Sequence, residues 1–454
     1  MNLRKDTELK PGVIRGYAIA LFCVISGSLW AGFAADTYFS SDGSFYFAII
    51  LDNGTFTNIA PSRAHAEFLT QWPLVWAVRS GVTDLATLGR IYGLGIWFPW
   101  VLSFGISLYA TRERPALIFF FLISVVSLNL AAWCLIYGEH LVLLSLAWPI
   151  FFFGIIRRRL TFTEQVITAV LLIAHLKLYE TALVSGSIFT VIFAFRAWVE
   201  KNPRERWGSG ILAALALASV VIAVIWILFP RDSENRGHFL GAILASILHP
   251  YPWMGVSFVV LNFLGVVFSS RKFLLAGWVT PLVIGVMSIS APGIMGGISF
   301  STRTLTLTAL PLLLFASVLS SLSNFKLTKH WALSISALVI GISLLHVRHL
   351  QTWIEFKSEF TGILKEEKGF VDPADHGDIA HWGWTNPLLS YVWSEGEVKA
   401  VILNRNHKDG YEPFDPFTEV VMAKYLVKWP EFVKPEAVQE SDDPAGGASG
   451  SLPD

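Results

Sequence analysis

The sequence predicts an all-α, polytopic membrane protein with a small α+β domain near its C-terminus. Three observations predict it. Of 454 residues, 54% are apolar and only 15% charged, against about 25% charged in an average soluble chain. Charge is missing from long runs such as Gly16–Ala35, Ala116–Ala132 and Ile211–Phe229, each close to the ~20 residues that cross a bilayer. Lys and Arg collect in alternate connections between such runs. The 34 cations balance 34 anions, so no net positive field points to nucleic acid.

Cys23 and Cys134 both sit inside apolar runs, which gives neither a disulfide framework nor zinc spacing. Arg4, Lys5, Lys10 and Arg15 precede the first run. That run exceeds the roughly 7–15-residue core of a signal peptide and ends in no A-x-A-like site. It reads as an uncleaved first helix.

About eleven spans follow, at 16–35, 91–111, 116–136, 141–156, 164–182, 184–199, 210–229, 250–269, 273–290, 304–322 and 331–348. Cytoplasmic connections are enriched in Lys and Arg. One set of alternate connections holds seventeen cations, including Arg157–Arg159, and the other holds seven. The N-terminus is therefore expected in the cytoplasm. With eleven spans, the chain from about Leu350 lies outside, which for a bacterial inner membrane means the periplasm.

Two outward regions are larger than connectors. In 36–90, helix-like stretches Gly43–Leu51 and Arg63–Arg79 flank turn-rich residues. Phe68, Trp72, Val75 and Trp76 recur at helical spacing, the pattern of an amphipathic helix lying on a membrane surface. In 351–434, helices at 351–368 and 417–428 and a strand at Val398–Leu403 form the α+β domain. Residues 435–454 are rich in Ser, Gly, Pro and acids, a disorder signature. No internal repeat is visible, which argues against transporters built from inverted repeats.

The chemistry-bearing residues gather at the outward ends of the spans. Asp42 follows the first span at the head of a helix. A carboxylate there caps backbone amides, a role compatible with catalysis. The order continues with Phe45-Tyr46-Phe47, Asn53-Gly54-Thr55-Phe56, Gln71-Trp72-Pro73-Leu74-Val75-Trp76, Gly81-Val82-Thr83-Asp84 and Gly89-Arg90. This resembles the N-terminal third of the GT-C-type membrane glycosyltransferases, which include protein O-mannosyltransferases and the aminoarabinose transferase of lipid A. The resemblance covers roughly residues 16–110. Many relatives have Asp-Glu where this chain has Asp42-Gly43, and a double Pro where it has Trp72-Pro73.

The resemblance implies a GT-C-like fold and a sugar donor carried on polyprenyl phosphate. It implies Asp42 as the general base, with inversion at the anomeric carbon. The leaving group is a phosphate, so cations must meet its charge. Lys177, Arg231, Arg236 and Arg303 are the candidates at that face. His175, Lys177 and Glu180 interrupt an apolar run, and ionisable groups at membrane depth usually face a cavity. A Lys177–Glu180 pair sealing the helix end is the structural alternative.

Glu139 and His140 lie in a short outward turn where such relatives often carry acidic residues. They are compatible ligands for a divalent metal, Mg²⁺ or Mn²⁺ or else Zn²⁺. His65 and Glu67 are placed to contact acceptor or phosphate, and Asp36 and Asp52 are reserve bases. Trp382 and Trp384 offer flat faces for a carbohydrate or for packing on the membrane. The acceptor, whether glycan, lipid or protein, is not specified by these residues. G-x-S-x-G, Walker A, H-E-x-x-H and C-x-x-C are all absent, which removes serine hydrolase, ATPase and zincin readings. The competing reading is a multispan transporter or flippase for a lipid-linked or small polar substrate. A polymerase or ligase of O-antigen type is a third, although such enzymes place key Arg and His in a late loop.

Overall fold

The computed structural model describes residues 8–39, 42–57, 63–126, 139–157, 159–178, 182–229, 327–373, 375–376, 386–394 and 398–403. The chain divides into two compact units, Met1–Ser358 and Glu359–Asp454. Helices α1 (Pro11–Ala34), α2 (Asp42–Asn53), α3 (Ala64–Arg79) and α4 (Leu85–Ala110) come first. Next are α5 (Ile118–Val125), α6 (Glu139–Ile156), α7 (Phe162–His175), α8 (Ala182–Val199) and α9 (Pro203–Leu228). Helix α10 (Lys329–Glu366) crosses the boundary between the units. Helices α1, α4, α8 and α9 are each long and apolar enough to cross a bilayer, which points to a membrane protein. The expected spans at 250–269, 273–290 and 304–322, the helix at 417–428 and the tail at 435–454 lie outside the described residues.

Local chemistry sets the helix ends. Pro11 opens α1, where a missing N–H costs nothing. Asp84 caps α4 by accepting the Thr87 N–H at 2.8 Å, and the Thr87 side chain and backbone N–H hold its carboxyl below the usual range. That cap explains why α4 begins before the expected edge at 91, since an apolar run cannot see past Arg90. Thr161 and Glu164 form a capping box at α7, each satisfying the other's backbone N–H.

Helices α1 and α10 run parallel. The Tyr17 hydroxyl donates to the Ala332 carbonyl at 2.6 Å and contacts Ser336. Further along, His346 Nε2 lies 3.0 Å from the Ser28 carbonyl, and Trp353 Nε1 donates to the Ala35 carbonyl at 2.8 Å. Lys357 Nζ meets Asp36 Oδ2 at 2.5 Å. The expected span at 331–348 and the expected helix at 351–368 are one continuous helix.

The connections that the cation count assigns to one side meet at one end of the bundle. Arg15 donates to the Arg112 carbonyl at 2.6 Å. Arg112 Nη2 reaches Glu164 Oε1 at 3.0 Å, with its guanidinium 4.0 Å from the Tyr109 ring centroid. Arg157 pairs with Glu113, and its Nε lies 3.3 Å from Glu164 Oε1 without hydrogen-bond alignment. Both Arg157 (4% exposed) and Glu164 (1%) are buried. A buried charge is tolerable only when paired, so this network locks the ends of α4, α6 and α7 together.

In the C-terminal unit, strand β1 (Gly369–Val371) pairs in parallel with β2 (Ala400–Ile402), Phe370 opposite Val401. The short helix α11 (Asn386–Trp393) packs on β2, where Ile402 N–H donates to Ser390 Oγ at 3.0 Å. The expected strand is therefore present. Its partner, three residues after α10, carries too short a pattern to be visible as a strand.

Glu164→Ala removes the buried carboxylate that Arg112 and Arg157 share and should lower unfolding stability by about 3 kcal/mol. Glu113→Ala removes a largely exposed partner and should cost under about 1 kcal/mol. Denaturant unfolding of the detergent-purified protein followed by tryptophan emission measures both.

Candidate functional site

The candidate site is the end of the bundle opposite the arginine network. Its foundation is the turn after α1. Asp36 takes a φ of 61°, a left-handed conformation for which Asp is among the better-suited residues. Its carboxylate accepts from the Tyr38 hydroxyl at 2.8 Å and pairs with Lys357. The reserve base Asp36 is thus held as a structural anchor.

The turn drives Tyr38 and Phe39 into the core, against α2 and α4. Phe39 meets Phe47 at 5.0 Å between ring centroids, and Phe47 meets Tyr92 at 5.8 Å. On α4, Gly89 and Gly93 admit these rings and Phe33. A Cβ at 89 would lie 2.9 Å from Phe39, and one at 93 would fall inside Phe33. Small residues four apart let neighbours approach a helix backbone.

Asp42 is the first residue of α2, directly beyond this aromatic wedge. The next residue, Gly43, is packed so closely that a Cβ would fall on the Tyr38 carbonyl oxygen. The chain therefore has no room for a larger side chain at position 43.

The rest of the loop folds onto the bundle. The Thr57 N–H and hydroxyl donate to Gln71 Oε1 at 3.1 and 3.2 Å, and Arg79 Nε donates to the Gly54 carbonyl at 2.7 Å. Gly95 on α4 lets α3 come close, since a Cβ there would meet the Thr70 carbonyl and the Pro73 ring. Helix α3 is amphipathic in an inverted sense. Glu67, Gln71, Leu74 and Val75 are buried, while Phe68 (54%), Trp72 (40%) and Trp76 (68%) are exposed. The expected aromatic face is present except for Val75, which turns inward.

The start of α3 docks on the end of α7. His65 N–H donates to the Lys177 carbonyl at 3.0 Å, and His65 Nδ1 lies 3.1 Å from the Ala174 carbonyl. Lys177 itself is half-buried. Two residues back, His175 is fully buried, with Nε2 2.8 Å from Ser185 Oγ of α8. Two expected site residues, His65 and Lys177, are thereby brought together, with Glu67 buried one half-turn along α3.

Glu139 and His140 open α6, which packs on α3, α4, α7 and α8; their side chains and that of Asp42 lie outside what is described. Arg231, Arg236, Arg303, Glu180, Trp382 and Trp384 lie outside the described residues. Asp52 is in the last turn of α2. Among the described residues, no three His, Cys, Asp or Glu side chains gather as a metal site would require. Lys357 was not visible to sequence reasoning, because its partner Asp36 lies 321 residues away. Comparison of the chain with protein families, with characterised proteins and with solved structures gives no match.

Gly43→Ala forces the start of α2 away from Tyr38 and should destabilise the protein by about 1–3 kcal/mol. Gly54→Ala, where a Cβ would have only ordinary contact with Val78 but φ is 59°, should cost about 1 kcal/mol from backbone strain alone. Thermal unfolding in detergent separates the two.

Proposed function

We propose that the protein is an integral membrane glycosyltransferase of GT-C type. It transfers a sugar from a polyprenyl-phosphate donor to a hydroxyl of a glycan, lipid or protein acceptor. The observation that carries this reading is the docking of the Asp42 loop on the bundle end, with His65 seated on the Lys177 turn. A loop that only linked two spans would have no reason to bury Glu67 and Gln71 while exposing Phe68, Trp72 and Trp76. That aromatic stripe suits the bilayer interface from which a lipid-linked donor arrives.

In this mechanism the acceptor hydroxyl oxygen attacks the anomeric carbon while Asp42 takes its proton. The bond from that carbon to the phosphate oxygen breaks with inversion, and polyprenyl phosphate leaves with the electron pair. A positioned general base contributes typically ~10²–10⁴-fold. Lys177 meets the charge growing on the phosphate, assisted by Arg231, Arg236 or Arg303, and His65 and Glu67 orient the α3 side of the site. A divalent ion such as Mg²⁺ or Mn²⁺ at Glu139 and His140 would add positive charge, but two adjacent donors do not complete a coordination set. The chain's own base and cations carry the steps. The parallel run of α1 and α10 accords with an odd number of spans, an N-terminus in the cytoplasm and a C-terminal domain in the periplasm of a bacterial inner membrane.

Asp42→Asn should leave the melting temperature unchanged and reduce sugar transfer from a polyprenyl-phosphate donor at least ~10²-fold. Undiminished transfer by that variant removes Asp42 from the role. Substrate flux across reconstituted vesicles with no covalent product would instead favour the transporter or flippase reading.

A further inference from the structure

The arginine-rich end of the bundle holds a cavity of about 470 Å³ between α6, α7, α8 and α9. That volume lies within the range of small-molecule sites. Its charged lining residues are Arg157, Arg196, Glu200 and Glu205. The rest of the wall is mainly apolar, including Ile192 and Phe195 of α8, with Gln165 and Ser209 as its uncharged polar members.

Each charged group is preset by the fold. Arg196 reaches down from α8, and its Nη1 donates to the carbonyls of Gly154 (3.0 Å) and Arg157 at the end of α6. Arg157 is held in the buried network with Glu113 and Glu164. The two carboxylates flank the start of α9, on the turn that Asn202 organises. Glu200 accepts the Asn202 N–H at 3.0 Å, and the Asn202 side chain donates to Glu205 Oε1 at 3.2 Å while capping Arg204. The Asn202 backbone N–H holds the Glu200 carboxyl below its usual range, so it is ionised at neutral pH. Glu205 also faces Arg159 at 3.6 Å. The cavity therefore presents both signs of charge on a fixed frame, with zero formal sum over its four charged side chains.

The apolar wall continues onto surface that bilayer lipid would touch. Phe195 is 57% exposed, and Trp198 and Trp207 are exposed beside it, as aromatics are at membrane interfaces. A soluble anion would need a cationic site, and an acyl chain alone would need no charge. A ligand with a phosphodiester, a neighbouring ammonium and apolar tails satisfies every wall.

We propose that this cavity binds the headgroup of an ethanolamine phospholipid from the adjacent leaflet. The phosphate faces Arg196, the ammonium faces Glu200 and Glu205, and one acyl chain runs along Ile192 and Phe195. This assignment is independent of glycosyl transfer at the opposite end.

The test is native mass spectrometry of the full-length protein, delipidated in detergent and titrated with phosphatidylethanolamine, phosphatidylcholine and phosphatidylglycerol of identical chains. One phosphatidylethanolamine should be retained at least tenfold more tightly than the other two, since its ammonium N–H groups donate to the carboxylates, whereas the quaternary choline has no N–H and the glycerol headgroup no positive charge, and about 1.4 kcal/mol gives that ratio. Glu200→Gln combined with Glu205→Gln should erase the preference while leaving phosphatidylcholine binding and the melting temperature in place. Phe195→Ser, which leaves every charge intact, should weaken all three lipids together. Equal retention of the three lipids by the unaltered protein overturns the proposal. So does full competition by soluble glycerophosphoethanolamine, which would mark a water-soluble ligand instead.

Discussion

The left-handed turn at Asp36 governs the rest of its end of the bundle. A chain leaving a membrane helix must find partners for its last carbonyls and redirect itself within a few residues. Here the Ala35 carbonyl takes the Trp353 indole N–H, and the Asp36 carboxylate takes Tyr38 and Lys357. That redirection thrusts Tyr38 and Phe39 against the Gly89 and Gly93 backbone of α4. Because Gly43 then sits on the Tyr38 carbonyl, the first turn of α2, and with it Asp42, has one place to go.

Burial of charge organises the other end. Glu164 both caps α7 and receives Arg112, with Arg157 alongside, so a local device of helix initiation also ties three helices together. Arg196 adds α8 by covering carbonyls that the end of α6 leaves open. The two ends differ in kind. One is closed by a buried ion-pair network, and the other by aromatic packing around a turn that the Asp36–Lys357 pair holds.

Much of this was legible in the sequence, and the omissions have physical causes. The helices of the 36–90 loop, the main apolar helices and the strand at 400–402 follow from periodicity, apolar runs and turn residues, which are local properties. The continuity of α10 was also available, because no Gly or Pro falls between Ile342 and Thr361. The polar residues Arg348, His349 and Gln351 marked the edge of the apolar run, which is where a membrane ends and not where a helix must. Partners such as Lys357 for Asp36, or the Lys177 turn for His65, are properties of tertiary approach and leave no periodic trace. The inward turn of Val75 is of the same kind, since helical spacing defines a stripe but neighbouring helices decide its width.

The pairing of α1 with α10 has a consequence in time. Its contacts join residues 315 to 321 positions apart. At synthesis rates of roughly 5–20 residues per second, the first helix waits about 15–60 s for the helix that completes it. Through that interval the Tyr17 hydroxyl lacks the Ala332 carbonyl and Ser336, and the Asp36 carboxylate lacks Lys357. The seam therefore closes late, after most of the chain has been made.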